Sequence, residues 1–398
     1  MYRTILHVDA NCFYISVETA LNPQLANKPA AVVGDSEKRH GIVLTANYIA
    51  KRVYGVKTGD TLWQAEKKCP DLVKVTAHMQ LYKEYSMKMR DILYSYSDYV
   101  EPFGCDEAWV ELKGFVKENG EKVAHHIRNR IKKELGITVS VGVSFNKAFA
   151  KLGSDMKKPD AVTVISAENF KDKIWPLPVE DLLYVGRKTK ILLNKKAVYT
   201  IGDLARTDIM LLNNWLGKSA HMLHAYANGL DNSPVMHYDC KHEFKSIGNS
   251  TTFPHDLTTE AEVRSSLVFL ADYVSQRLRN EGVKGKEITV SIRDNKMHWI
   301  SHRRSIDRPT DISNEIALIA MELFKESYGW INPVRSLGIS IGRLGNEEVC
   351  VQLDLLSDEE KRNKQHIIDT TADMLRKKFG DTILCKAVTL INKDVAHL

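Results

Sequence analysis

Three carboxylates stand out by where they fall. Asp9 closes an apolar run, residues 3–8, that reads as a buried strand. Asp106 and Glu107 sit in a Gly-Cys-Asp-Glu step between two further strand-like runs, 99–103 and 108–112. A sheet that sets the first of these runs beside the third would bring all three acids to one edge. Such crowding is repulsive unless divalent cations neutralise it. Mg²⁺ favours a few carboxylates together with phosphate oxygens, which implies a phosphate-bearing substrate. Two ions about 4 Å apart can activate a hydroxyl and stabilise a departing pyrophosphate. On the residues alone the same acids also fit a solvated loop edge, and both readings stand.

The elements that must position these acids follow from periodicity. Short apolar strands are expected at 31–34 and 42–46, and short helices at 47–54 and 62–68. Leu81, Tyr85, Met89, Ile92 and Tyr96 mark one face of a long helix over 80–97, and Val123, Ile127 and Ile131 mark another over 120–135. Residues 138–143 alternate like a strand. With 22–77 set aside as an inserted subdomain, the order is strand, helix, strand, strand, helix, strand, the ferredoxin-like arrangement. Its first and third strands are central neighbours, so Asp9 and Asp106 would project side by side.

Pro176 and Pro178 mark a boundary, followed by short helices with Gly-centred turns at Gly186 and Gly202. Residues 231–245 read as a polar linker. Strands at 245–252, 286–293, 297–305 and 335–343, with helices at 258–281 and 311–328, repeat the α+β order. An amphipathic helix is expected near 358–379.

Composition narrows the class. The 398 residues carry 56 basic and 50 acidic side chains, a net charge of +6, which permits a polyanionic partner without requiring one. There is no apolar run of about 18 residues, so no membrane span is expected, and the N-terminus lacks the shape of a signal peptide. The six cysteines form no C-x-x-C pair and fit a reducing cytoplasm. His298 and His302 lie four apart on a strand without partners for a zinc set.

Several segments together resemble one family. Val8-Asp-Ala-Asn-Cys-Phe-Tyr14, then Val17-Glu18, is similar to the first motif of the Y-family DNA polymerases. Thr45-Ala-Asn-Tyr48-Ile-Ala-Lys-Arg52, then Gly55-Val-Lys-Thr-Gly59, resembles the family's finger motif. Val100-Glu-Pro-Phe-Gly-Cys-Asp106-Glu107-Ala-Trp resembles its second carboxylate motif. Ser140-Val-Gly-Val-Ser, Asn146-Lys-Ala-Phe-Ala-Lys151 and Asp155-Met-Lys-Lys158-Pro159 resemble a third. Gly104, Cys105, Trp109 and Asn11 depart from the family's usual residues, but none is a metal ligand.

The resemblance implies a multidomain α+β right-hand polymerase. The palm would be ferredoxin-like (1–21 and 78–165), with small fingers (22–77), a helical thumb (166–230), a linker (231–244), an α+β little finger (245–350) and a tail (351–398). It implies template-directed, error-prone DNA synthesis across lesions, without proofreading, on primer-template DNA with dNTPs. Asp9, Asp106, Glu107 and the Ala10 carbonyl would hold two Mg²⁺ ions. Cys12 and Phe13 would offer backbone N–H groups to the triphosphate. Tyr14 would be the steric gate against a ribose 2′-hydroxyl. Tyr48, Lys51 or Arg52, and Lys158 would bind the triphosphate. The finger motif runs one residue long, so Lys51 and Arg52 stand as alternatives.

DNA contacts are expected at the helix-hairpin-helix-like turns through Gly186, Lys188, Thr189 and Gly202, whose N–H groups can bind phosphates; helix caps are the other reading. Basic residues Arg277, Arg279, Lys284 and Lys286 cluster at one helix-to-strand turn, and Arg303 and Arg304 on a strand would track a duplex backbone. Gln352, Leu353, Leu355 and Leu356 have the Q-L-x-L-L form of a peptide that docks on the bacterial sliding clamp, apolar anchors filling a groove. The chain is expected to be a cytoplasmic monomer. Three further readings are a silent DNA- and clamp-binding scaffold, a partner-dependent catalytic subunit of the same family, and a nucleotidyl cyclase sharing the two-metal palm.

Overall fold

The computed structural model describes residues 3–34, 41–113, 117–240, 244–346, 359–380 and 383–391. The chain divides into two units, Met1–Lys241 and His242–Leu398.

In the first unit β1 (Ile5–Ala10) leads into α1 (Phe13–Leu21). A small subdomain follows, with β2 (Ala30–Val33), β3 (Val43–Ala46), α2 (Tyr48–Arg52), α3 (Leu62–Lys68) and β4 (Val73–Thr76). Its three strands order as β3-β2-β4. The chain then returns through α4 (Met79–Tyr94), β5 (Val100–Phe103), β6 (Glu107–Glu111), α5 (Lys117–Leu135), β7 (Val139–Ser144), α6 (Lys147–Met156) and β8 (Val162–Val164). The main sheet orders as β5-β6-β1-β7-β8. Its first four strands have the ferredoxin-like order, with β1 and β6 adjacent. β4, β8 and α6 are elements that the apolar periodicity did not announce.

Every residue of β1 is buried. Leu6, Val8 and Ala10 join one core with Met89 and Leu93 of α4 and Ile127 and Ile131 of α5. Ile5 faces the other way, with Trp109 and Ala150. A strand covered on both faces reads as a continuous apolar run, which is why this one was legible. α6 lies very close to the sheet because Gly142 has no side chain. A Cβ there would stand 1.9 Å from the Ala150 carbonyl oxygen and 2.5 Å from the Ser154 nitrogen.

Five helices follow: α7 (Phe170–Ile174), α8 (Arg187–Asn194), α9 (Ile201–Arg206), α10 (Ile209–Leu216) and α11 (Ser219–Ala227). Their core residues Ile174, Leu193, Leu204, Leu212 and Leu223 share one cluster with Phe149 and Leu152 of α6. Packing therefore runs straight through Pro176 and Pro178, and the chain's partition falls after residue 241.

The second unit contains β9 (Ser246–Leu257), α12 (Glu260–Asn280), β10 (Val283–Asp294), β11 (Trp299–Thr310), α13 (Ser313–Ser327), β12 (Val334–Asn346) and α14 (Glu359–Phe379). The strand order is β11-β10-β12-β9. The element order matches that of the first unit, but here the first strand is at an edge, whereas β1 is central. Leu267, Leu270 and Val274 of α12 and Ile316, Ala320 and Phe324 of α13 pack against Ile288, Val290, Leu337 and Ile339 of the sheet.

Candidate active site

The β1–β6 register places Asp9 directly opposite Glu107. The Ala10 N–H donates to the Asp106 carbonyl oxygen at 2.9 Å, which brings the turn bearing Asp106 against the end of β1. Gly104 supplies the positive φ of 79° that this turn requires. The expectation from topology alone, that the acids share one sheet edge, is the geometry observed.

The acids are crowded and partly desolvated. Asp9 is 4% exposed. Burial, against the opposing charge of Lys158, pushes its pKa up to about 6, and the Glu107 charge adds to the rise. Asp106 is raised as well, by burial and by the charges of Glu107 and Asp9. Two lysines answer this charge. Lys158 Nζ lies 2.7 Å from Asp9 Oδ2, and Lys151 Nζ lies 2.6 Å from Glu107 Oε2. Lys158 also pairs with Asp155 at 2.8 Å. Burial disfavours the Lys158 cation, but Asp9 and Asp155 more than offset that and hold its pKa above the ordinary lysine value. Lys151 and Asp155 are neighbours four apart on α6, and Lys158 follows just past the helix end at Met156.

His7 lies beneath the acids. Ser154 Oγ donates to the Lys151 carbonyl oxygen at 2.7 Å, so at 2.8 Å it accepts from His7 Nδ1–H. That leaves the Nε2 lone pair facing Glu107 Oε2 at 3.3 Å, with no hydrogen-bond partner. Burial, reinforced by Lys151, pushes the ring's pKa down to about 3, so the ring is neutral and the contact is not an ion pair. Donor atoms of His7, Asp9 and Glu107 all lie within 4.8 Å of one another. Clustered carboxylate oxygens, two lysines in the place of counter-ions and an orphaned buried lone pair together fit a hard divalent cation.

The nucleotide candidates surround this cluster. Cys12 adopts a left-handed backbone, φ 48°, at the start of α1. Tyr14, two residues on, stacks on Tyr82 with ring centroids 4.4 Å apart. Tyr82 donates to Glu18 at 2.6 Å. The Tyr14 hydroxyl meets Cys105 Sγ at 3.5 Å, and this bond, with burial, pushes its pKa up to about 12. The phenol is thus neutral, and its ring is fixed from two sides. Tyr48 opens α2 behind the side-chain cap of Asn47. Lys51 Nζ donates to Cys12 Sγ at 3.2 Å, whereas Arg52 stacks on Tyr48 and donates to the Lys158 carbonyl oxygen at 2.8 Å. The two residues left open by the sequence thus take different positions.

His7 and Tyr82 were not singled out from the sequence, and Lys151 and Cys105, although they fall in the quoted motifs, were given no site role. Lys151 had a usable signal, its i,i+4 spacing from Asp155. The contacts of His7, Cys105 and Tyr82 are long-range and left no local trace.

The DNA-contact candidates separate. Gly186 is the N-cap of α8, with Lys188 and Thr189 in the first turn and open space around its Cα. Gly202 differs. Its N–H donates to the Trp175 carbonyl oxygen at 3.0 Å, and a Cβ there would meet Trp175 at 2.9 Å. That N–H is consumed by packing and is not free for a phosphate. Arg303 is 73% exposed. Arg304 points to the helical side of its sheet and pairs with Glu322 and Glu326 of α13 at 2.5 and 2.6 Å. Adjacent strand residues face opposite ways, so only one of the two can serve the open face. Gly248, Ser250, Ser291, Gly338 and Ser340 with Trp299 line a shallow depression of about 330 Å³ on the sheet. Gln352, Leu353, Leu355 and Leu356 lie outside the described residues. Among the described residues, no helix is long and apolar enough to cross a membrane.

Comparison with known proteins agrees with this geometry. The family model described as the impB/mucB/samB family matches residues 8–155, and its C-terminal domain matches 244–355. The chain is 50% identical over 400 residues to DNA polymerase IV of Acetivibrio thermocellus, covering 100% of both chains. It is 37% identical to DNA polymerase IV 1 of Bacillus subtilis, over 98% of this chain and 94% of that one. Among solved structures it resembles a Y-family DNA polymerase chimera, Dbh-Dpo4(243-245)-Dbh, with a TM-score of 0.78 and 25% identity. That match covers 86% of this chain and 100% of the other.

Proposed function

The chain belongs to the Y-family DNA polymerases, the impB/mucB/samB family, and from that premise we propose how its residues divide the labour. It is a metal-dependent, DNA-directed DNA polymerase of translesion synthesis, acting on primer-template DNA with dNTPs. The observation that carries the assignment of residues is the register of Asp9 against Glu107, with Asp106 held beside them.

Asp9, Asp106, Glu107 and the Ala10 carbonyl would hold two Mg²⁺ ions, which when bound would favour the ionised primer 3′-hydroxyl and offset the charge that builds on the leaving pyrophosphate. The 3′-hydroxyl attacks the α-phosphorus of the dNTP, and pyrophosphate departs. Lys158, which pairs with Asp9 at the edge of the site, would offer its ammonium to the triphosphate. Lys51, already at Cys12, reaches the same phosphates beside the N–H groups of Cys12 and Phe13 at the start of α1. Tyr48 donates its hydroxyl there, and Arg52 braces the fingers against the 158 loop. The Tyr14 ring, clamped by Tyr82 and Cys105, lies beneath the sugar and leaves no room for a 2′-hydroxyl.

Residues 1–21 and 78–165 form the palm, 22–77 the fingers, 166–230 the thumb, 231–244 the linker and 245–350 the little finger. Gly186, Lys188 and Thr189 grip phosphate through the first turn of α8, and Arg303 supplies charge from the second unit's sheet. The chain works as a monomer in the cytoplasm, without a proofreading site, and is tethered to the bacterial sliding clamp by Gln352, Leu353, Leu355 and Leu356.

Divalent-ion binding tests the metal assignment directly. Mn²⁺ paramagnetic broadening of the protein should saturate in the presence of dNTP and be lost in Asp9→Asn. Equal binding by that variant overturns the assignment.

A further inference from the structure

The helix α14 is amphipathic in the reverse of the usual sense. Its polar side packs on its own unit. Asp369, 4% exposed, accepts from the Ser313 N–H at 2.9 Å and from the Ser313 hydroxyl at 2.8 Å. Asp373 takes the Arg279 guanidinium at 2.6 and 3.1 Å. Arg376 reaches Asp272, and Arg362 reaches Glu315, each at 2.6 Å. The apolar side faces away. Ile367, Ile368, Met374 and Phe379 are 61%, 60%, 65% and 58% exposed, and Leu375 is 38% exposed. Their spacing puts them on one stripe. A surface helix ordinarily buries its apolar stripe, and a contiguous exposed one marks an interaction site.

The charges beside the stripe say what would cover it. Asp369 and Asp373 are engaged inward, and Glu359 is bonded to Arg308. The exposed charges on α14 are Lys361, Lys364, Lys377 and Lys378 against Glu360 alone. A second copy laid on this face would set lysine against lysine. An aliphatic centre is unsuited to nucleic acid. A protein groove that is apolar inside and acidic at its rim suits both features. Chain continuity points to the same protein that takes the preceding peptide. The Q-L-x-L-L segment ends at Leu356, three residues before α14 begins at Glu359. At 1.5 Å per residue the stripe spans about 12–30 Å along the helix from that point.

We propose that the outward stripe of α14 is a second docking surface, fitting an acid-rimmed apolar groove on the sliding clamp that holds the 352–356 peptide. This rests on the clamp reading above. The peptide supplies extended anchors, and the helix supplies a second, independent patch, so attachment is bivalent.

The test uses the full chain and the purified clamp of the same organism, with affinity measured by calorimetry. Two variants run beside the wild type, Ile367→Ser with Met374→Ser, and Leu355→Ala with Leu356→Ala. The stripe pair should keep clamp-independent primer extension and the wild-type melting temperature. The stripe variant is expected to bind the clamp about tenfold more weakly, the scale of losing interface anchors. The peptide variant should also weaken binding. Wild-type affinity in the stripe variant, with affinity lost in the peptide variant, overturns the docking surface and leaves the clamp reading standing. No clamp binding by the wild type overturns the clamp reading, and this inference with it. Loss of self-association in sedimentation, or of binding to anionic vesicles, as the stripe variant's sole defect also overturns it.

Discussion

Lys158 and Asp9, 149 positions apart in the chain, meet at 2.7 Å across the edge of the central sheet. The contact pairs a lysine with a carboxylate that is almost wholly buried. It keeps the acid from standing uncompensated, and in the proposed function it places an ammonium at the triphosphate site. Lys158→Ala should therefore lower kcat/KM for dNTP about 100-fold, with most of the loss in KM, since a uniform binding contact is removed. Lys158→Arg should recover part of it. Single-nucleotide insertion kinetics read both.

Asp9 also sets a pH dependence. Its folded pKa, about 6, lies above the ordinary aspartate value of 3.8. The folded chain therefore holds a proton that the unfolded chain has released between those values. The resulting stability is fully present below 3.8 and is lost as pH rises through about 6. A divalent ion competes for the same oxygen. Mn²⁺ affinity should thus fall as pH drops below about 6, while the melting temperature without metal shows no matching loss from this group.

Among the described residues, no cation pairs with Asp106. Its neighbours are Cys105 Sγ at 3.7 Å and two acids that raise its pKa. Neutralising it relieves repulsion. Asp106→Asn should melt no lower than the wild type without metal, although it should not extend a primer. Thermal unfolding with and without Mg²⁺ separates the two effects, because only the wild type should gain strongly from the ion.

The Tyr14 ring is held by Tyr82 on one face and by Cys105 at its hydroxyl. Tyr14→Ala should raise rNTP insertion relative to dNTP by at least about 100-fold. Tyr14→Phe keeps the ring and loses only the sulfur contact, so it should change selectivity far less.

Glu262 caps α12 reciprocally with Thr259. Burial is the largest single influence and opposes its charge, but the hydrogen bonds from the N–H groups of Thr258 and Thr259 and the Thr259 hydroxyl together prevail and hold its pKa below the ordinary glutamate value. That stability is present above about 4.5 and is lost as pH falls through the lowered folded value. Thr259→Ala should cost the second unit about 1 kcal/mol. Urea unfolding at pH 7 measures this directly.

Much of this was legible in the sequence. β1 was readable because both its faces are covered, and Asp9 because it ends that run. The β1–β6 neighbour relation followed from element order. α6 was missed because Gly153 and small residues disguise it, although its close approach over Gly142 is what carries Lys151 to the acids, with Lys158 just past the helix end. Arg303 and Arg304 read as one basic pair, yet strand alternation gives each a different face. Gly202 resembled Gly186 locally, but only a distant residue, Trp175, decides that its N–H is occupied. His7 looked like one more residue of a buried strand, because its partners Ser154 and Glu107 arrive from elsewhere in the chain.

The most direct test is primer extension on a primed template with Mg²⁺ and dNTPs, comparing the full chain with Asp106→Ala. Template-directed extension by the wild type, reduced at least about 1,000-fold in the variant and absent when rNTPs replace dNTPs, is the result expected. Equal extension by both proteins would contradict the carboxylate site on which the account rests.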